Sequence, residues 1–165
     1  MQVTKRDGTL QEVSFDKILQ RVKKIGNEVT PPLAINYSQL IMKVIDQLYD
    51  KIPTYVIDEL TAEQCAALTT KHLDYATLAN RIVVSNNHKI TTNSFYTAME
   101  TLYMHQDVHG VQKPLISPAM WTIIQHNQTA LERIIDYERD YLFDYFGFKT
   151  NLTEPLFTDV KYNTN

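Results

Sequence analysis

The sequence predicts a mainly α fold of the α+β class: an N-terminal β-hairpin packed on four helices, followed by a run of shorter helices. Three observations predict it. Val3-Thr4 and Gln11-Glu12-Val13 flank Asp7-Gly8, a dipeptide that supplies the positive φ of a tight turn. From Phe15 onward the apolar residues recur at a helical period instead of alternating. Prolines and glycines then punctuate that periodicity at intervals suited to helices of ordinary length.

Residues 2–14 form the hairpin, whose strands are too short to stand alone and must lie on helices. Phe15, Ile18, Leu19, Val22 and Ile25 make the inner stripe of the first helix, with Gly26 as its C-terminal stop. Pro31-Pro32 forbids helix in the linker that follows. The second helix opens at Asn36, with Gln39 three residues on as a capping box. Its stripe of Tyr37, Leu40, Ile41, Val44, Ile45 and Leu48 is the cleanest amphipathic pattern in the chain.

Pro53-Thr54 starts a third helix, with Thr54 as N-cap and Ile57, Leu60, Ala67 and Leu68 facing inward. A fourth runs from about Asp74 to His88 on Tyr75, Leu78, Ala79, Ile82 and Val83. Beyond residue 90, Phe95, Met99, Leu102 and Tyr103 predict a short helix, and Gly110 to Pro118 a loop. Trp121, Ile123, Ile124, Leu131, Ile134 and Ile135 supply two more short helical pieces. Asp136 to Lys149 is dense in Tyr, Phe and acid, and the polar last fifteen residues read as a frayed tail.

Composition narrows the function. With 165 residues, 44% hydrophobic and 21% charged, the chain has an ordinary soluble globular make-up and room for one core with a small second lobe. A single cysteine, Cys65, excludes an internal disulfide and any multi-thiolate metal site, and its place among alanines suits an inert buried residue. No apolar run reaches the roughly 20 residues of a membrane span, and Met1 to Arg6 is no signal peptide. The glycosylation sequons at Asn36, Asn127 and Asn151 therefore read as chance in a reduced, cytoplasmic protein. The net charge of −3 hides an asymmetry. Residues 1–30 carry six basic and four acidic side chains, too few cations for nucleic acid but apt for one small polyanion such as a nucleotide.

Four glycines in the whole chain leave no GxxxxGK or GxGxxG loop, so phosphate recognition needs another device. The head offers one. Lys5 and Arg6 precede the turn, Lys17 lies in the first turn of the first helix, and helix N-terminal amides attract phosphate oxygens. These groups can converge on a triphosphate while Gln11, Ser14 and Asp16 hydrogen-bond base or sugar. On pattern alone, a basic hairpin that simply faces water remains the plainer alternative. His105 and His109 stand four apart with no third ligand nearby, which suits two surface histidines better than a metal. The acids at Asp136, Glu138, Asp140 and Asp144 suit a solvated face over aromatic residues better than acid–base chemistry.

Val3-Thr4-Lys5-Arg6-Asp7-Gly8 and Val13-Ser14-Phe15-Asp16-Lys17-Ile18 resemble the opening of the ATP-cone domain, the regulatory module that begins many ribonucleotide reductase large subunits. Leu68-Thr69-Thr70-Lys71-His72-Leu73-Asp74-Tyr75, Leu78-Ala79 and Arg81-Ile82-Val83-Val84-Ser85-Asn86 continue the likeness in register. Tyr137-Glu138-Arg139-Asp140 and Tyr145-Phe146-Gly147-Phe148-Lys149-Thr150 resemble the segment leading into the catalytic body of the eukaryotic-type class I branch. Several ordered blocks over about residues 1–150 are far more specific than any single motif. The resemblance divides the chain into a cone over residues 1–91, a helical linker region over 92–150 and a flexible tail over 151–165.

The resemblance implies an allosteric site that takes ATP as activator or dATP as inhibitor, with Mg2+. It puts Lys5 and Arg6 on the phosphates and wraps Gln11, Glu12, Val13, Ser14, Phe15, Asp16 and Lys17 around the nucleotide. Thr54 and Asp58 approach from the third helix, and Lys89 adds phosphate charge. The implied partners are the remainder of a reductase large subunit, its small radical-bearing subunit and further copies of the chain in a nucleotide-dependent oligomer, with neither nucleic acid nor membrane. One departure is Gln11, a neutral amide where the family often has a carboxylate. The family's thiyl-radical chemistry uses a cysteine pair in a ten-stranded barrel, so a chain with Cys65 alone is expected to be inactive by itself. The alternatives are a stand-alone cone regulator, which also binds nucleotide, and an interaction module outside ribonucleotide reduction, which a chain without saturable ATP or dATP binding would favour.

Overall fold

In the computed structural model, residues 1–153 are described. The elements run β1 (Gln2–Thr4), β2 (Leu10–Glu12), α1 (Phe15–Asn27), α2 (Tyr37–Ile45), β3 (Ile52–Pro53), α3 (Thr54–Ala67), α4 (Asp74–His88), α5 (Phe95–Tyr103), α6 (Pro118–His126), α7 (Gln128–Ile134), a 3-10 helix (Tyr137–Leu142) and α8 (Tyr145–Thr153). The mainly α fold with its N-terminal hairpin is the predicted one. Contacts group the chain into two units, residues 1–87 together with those from 140 onward, and residues 88–139.

In the first unit, β1 pairs antiparallel with β2, Val3 opposite Gln11, across a turn in which Gly8 adopts φ 80°. The sheet has a third strand that the sequence did not reveal. β3 runs parallel to β1 with Val3 opposite Ile52, giving the order β2-β1-β3. Two residues are too few for a period to show, and Pro53 reads as a helix signal. Val3, Ile52, Val44 and Ile57 bury together beneath this sheet.

The larger core gathers Val22 and Ile25 from α1, Leu40 and Ile41 from α2, Cys65 from α3, and Leu78, Ala79 and Ile82 from α4. The Cys65 thiol is fully buried, and burial pushes its pKa up to about 12, which leaves it unionised and inert. Tyr145 and Phe148 of α8 join the same core, while Leu142 and Phe146 of the aromatic stretch stay exposed. Residues 151–153 complete α8, and the rest of the expected 151–165 tail lies outside the described residues.

Four local readings need correction. Phe15 follows the period of the inner stripe of α1 but stands exposed in its first turn, ahead of the packed face. Gly26 does not stop α1 but lies buried in its last turn, where the Tyr37 ring crosses it. Pro53 is the N-cap of α3 and Thr54 its first helical residue; Pro53 has no side-chain group with which to cap. Ala67, expected to face inward, is exposed.

The second unit centres on Trp121, buried on α6 and stacked with Tyr103 at 5.2 Å between ring centroids, with Tyr96 at 5.3 Å. Ser94 and Ser117 cap α5 and α6 through their hydroxyls. His105 and His109 lie past the end of α5 in a loop tied by Asp107, in which Gly110 adopts φ 75°. Among the described residues no helix is long and apolar enough to cross a membrane.

Candidate functional site

The hairpin turn is rigidly built. Asp7 accepts hydrogen bonds from the Thr9 amide at 2.9 Å and the Thr9 hydroxyl at 2.6 Å, and these bonds hold its carboxyl below the usual range. The Lys5 amide donates to the Thr9 carbonyl, and the Gly8 amide to the Lys5 carbonyl. Lys5 and Arg6 are thereby displayed on a fixed loop beside β1.

After the turn, β2 carries Gln11 and Glu12 and runs through Val13 into Ser14, whose hydroxyl accepts from the Lys17 amide at 3.3 Å. Ser14 thus caps α1, and Phe15, Asp16 and Lys17 form its exposed first turn. The parallel register of β1 and β3 sets Pro53 opposite Thr4, so α3 begins at Thr54 close to where the Lys5-Arg6 turn departs. Asp58 lies one helical turn after Thr54 on the same face.

Asp58 is the buried centre of a polar cluster. Its Oδ2 faces Arg21 Nη2 of α1 at 3.4 Å and Arg6 Nη2 of the turn at 3.9 Å. The same Arg6 nitrogen donates to Asn86 Oδ1, and Arg21 Nη2 donates to Ser85 Oγ at 3.1 Å. The Asn86 amide donates in turn to the Tyr55 carbonyl at 3.4 Å. The hairpin turn, α1, α3 and α4 therefore meet at one carboxylate flanked by two guanidiniums.

Of the residues singled out from sequence, the structure joins Arg6 to Asp58 and sets Thr54 on the Asp58 face. Gln11, Val13 and Ser14 are half-buried along the strand-to-helix passage, and Lys5, Glu12, Phe15, Asp16 and Lys17 are exposed on the turn, strand and first helical turn. Lys89 lies one residue beyond α4, in the second unit, and is exposed. Arg21, Ser85 and Asn86 were missed as site residues. Arg21 had a signal, since it stands four residues after Lys17 on the same helical face. Ser85 and Asn86 stood in a block that resembles the family, but nothing in their spacing pointed to a site role.

The chemistry on offer is anion recognition. Cations on a fixed turn, a capped helix start and a carboxylate already matched by two guanidiniums suit phosphate oxygens and polar sugar atoms, not a bare metal ion. Among the described residues no group of three or more His, Cys, Asp or Glu is placed to hold a metal.

This fold and site define a module that binds a nucleotide effector. The chain belongs to the ATP-cone domain family, whose model matches residues 1–90. It is 42% identical over 153 residues to the ribonucleoside-diphosphate reductase large subunit of Caenorhabditis elegans, covering 90% of this chain and 19% of that one. It is 40% identical over 151 residues to the ribonucleoside-diphosphate reductase large chain 2 of Saccharomyces cerevisiae, covering 91% and 17%. The large subunit of variola virus is 40% identical over 151 residues, covering 91% and 20%. The chain thus spans about a fifth of the length of the curated relatives it matches.

Proposed function

We propose that this chain is the allosteric, nucleotide-sensing part of a ribonucleoside-diphosphate reductase large subunit, with ATP or dATP as effector. The observation that carries the reading is the Arg6–Asp58 junction beside the Lys5-Arg6 turn and the capped start of α1. In this reading Lys5, Arg6 and Lys17 hold the triphosphate, and Lys89 adds charge. Gln11, Glu12, Val13, Ser14, Phe15 and Asp16 line the nucleotide along the strand-to-helix passage. Thr54 and Asp58 close the site from α3. Magnesium arrives on the phosphates, since the side chains gathered here are largely cationic.

ATP and dATP differ by one 2′-hydroxyl, so the site must bind both and convert that difference into a conformational bias. Gln11 offers an amide to the sugar or base rather than a charge, which shifts the balance between the two ligands. The chain's one cysteine is buried in the α3 core, so reduction belongs to other parts of the enzyme. The partners in this reading are those parts, the radical-bearing small subunit and a second copy of the chain, meeting in the cytoplasm.

Thermal unfolding with ATP, dATP, GTP or no nucleotide, each with magnesium, tests the reading. A ligand at 100 times its Kd adds about 2.7 kcal/mol, several degrees in a chain of this size. The expected result is a rise with ATP and dATP and none with GTP. Unchanged melting in all four samples would overturn nucleotide sensing and favour an interaction module.

A further inference from the structure

We propose that Arg21 is a positioning residue of the nucleotide site: it is a standing counter-ion of Asp58, and it frees Arg6 to move from Asp58 and Asn86 onto a phosphate oxygen. The proposal rests on the nucleotide reading above and deepens it.

Both guanidiniums face one oxygen, Asp58 Oδ2, but they are held differently. Arg21 projects from the middle of α1 and is tied to α4 as well, because its Nη2 also donates to Ser85 Oγ. Its Nε is buried and finds no acceptor among the described residues, so the one nitrogen Nη2 carries both bonds. Arg6 sits on the hairpin turn, lies farther from the carboxylate, and makes its own bond to a neutral amide, Asn86.

A phosphate oxygen is a stronger partner for a guanidinium than an amide oxygen is. Arg6 therefore gains by transferring to a bound triphosphate. The Asp58 side chain is only 12% exposed, and a carboxylate so buried is costly to leave without a positive partner. Without Arg21, the departure of Arg6 would strip a cation from a carboxylate that has lost one already, and Asp58 would resist the transfer. Arg21, already closer at 3.4 Å, keeps the carboxylate neutralised and in place while Arg6 moves.

The test is ATP binding by calorimetry to the full 165-residue chain and to Arg21→Gln, Arg21→Lys, Asp58→Asn and the Arg21→Gln/Asp58→Asn double variant, with circular dichroism on each. Arg21→Gln is expected to weaken ATP at least tenfold. Arg21→Lys, which keeps the charge, is expected to stay within about fivefold of the parent. In the Asp58→Asn background, Arg21→Gln is expected to cost less than threefold, since no carboxylate then needs a counter-ion. Should Arg21→Gln fail to fold, the double variant, which has no stranded charge, is expected to fold. Equal losses in Arg21→Lys and Arg21→Gln would overturn the proposal, as would parental binding by Arg21→Gln. Absence of ATP and dATP binding by the parent chain would overturn the nucleotide reading itself, a distinct result.

Discussion

A methyl group at position 26 has no room. Gly26 is buried, and a Cβ built on it runs into the hydroxyl and ring of Tyr37. Tyr37 is pinned there, since its hydroxyl donates to the Leu33 carbonyl at 3.3 Å while the Leu33 amide donates to the Gly26 carbonyl. Overpacking of this kind costs about 1–3 kcal/mol, so Gly26→Ala should lower the urea midpoint clearly. The Tyr37 hydroxyl oxygen is the nearest atom, and Gly26→Ala/Tyr37→Phe should recover part of the loss. Parental stability in Gly26→Ala would mean that Tyr37 swings aside freely. The same position shows what the sequence hides at this scale. A glycine near a helix end reads as a stop, because the ring that requires it lies eleven residues away. Arg21 is only half legible: its place four residues after Lys17 puts it on the same helical face, but only the packing of α1 against α3 and α4 brings it to Asp58.

Helix starts were the most legible elements, because a cap is a local matter of a few adjacent residues. Asn36 caps α2 by accepting from the Gln39 amide at 3.0 Å, as its sequence position suggested. β3 was illegible because it is defined by its partner strand, not by its own two residues. Glu132 adds a cap of the second kind, supplied from afar. It sits on α7 yet accepts at 2.7 Å from the Ser94 hydroxyl and at 3.0 Å from the Tyr96 amide at the start of α5. Those bonds, the Tyr96 amide first, hold its carboxyl below the usual value of 4.5. A carboxyl lowered in the folded state contributes stability that is present above its unfolded pKa and is lost as pH falls through the folded value. Trp121, the chain's single tryptophan, reports on this unit alone. Its fluorescence in urea should show a midpoint that drops between pH 7 and pH 3.5, and Glu132→Gln should be less stable at pH 7 with a smaller drop. Equal drops in the two proteins would remove Glu132 from the acid response.

At the scale of the molecule, the family match ends at residue 90 but the core it covers does not. Tyr145 and Phe148 are 9% and 7% exposed and belong to the same apolar cluster as Val22, Leu40 and Leu78. Tyr141 is held beside them: the Arg81 guanidinium lies 4.3 Å from its ring centroid, and the Asn80 amide donates to its carbonyl at 3.2 Å. Burial raises the Tyr145 phenol pKa, as an apolar seat should. Sequence showed these aromatics as a dense run among acids but not what they cover, since an aromatic run fits any apolar surface. Burial of a large side chain contributes about 1.5–3 kcal/mol. A fragment of residues 1–91 should therefore lose about 3 kcal/mol or more, on the order of ten degrees in a domain this small. Tyr145→Ala/Phe148→Ala in the full chain should bring most of that loss, because it strips the same surface while keeping the chain intact. Hydrogen exchange on α4 reads the effect directly, through amides whose protection falls by the same free energy. If the fragment and the double variant both keep parental melting and α4 protection, residues 1–90 carry their own complete core, and the aromatic stretch rests on the cone without supporting it.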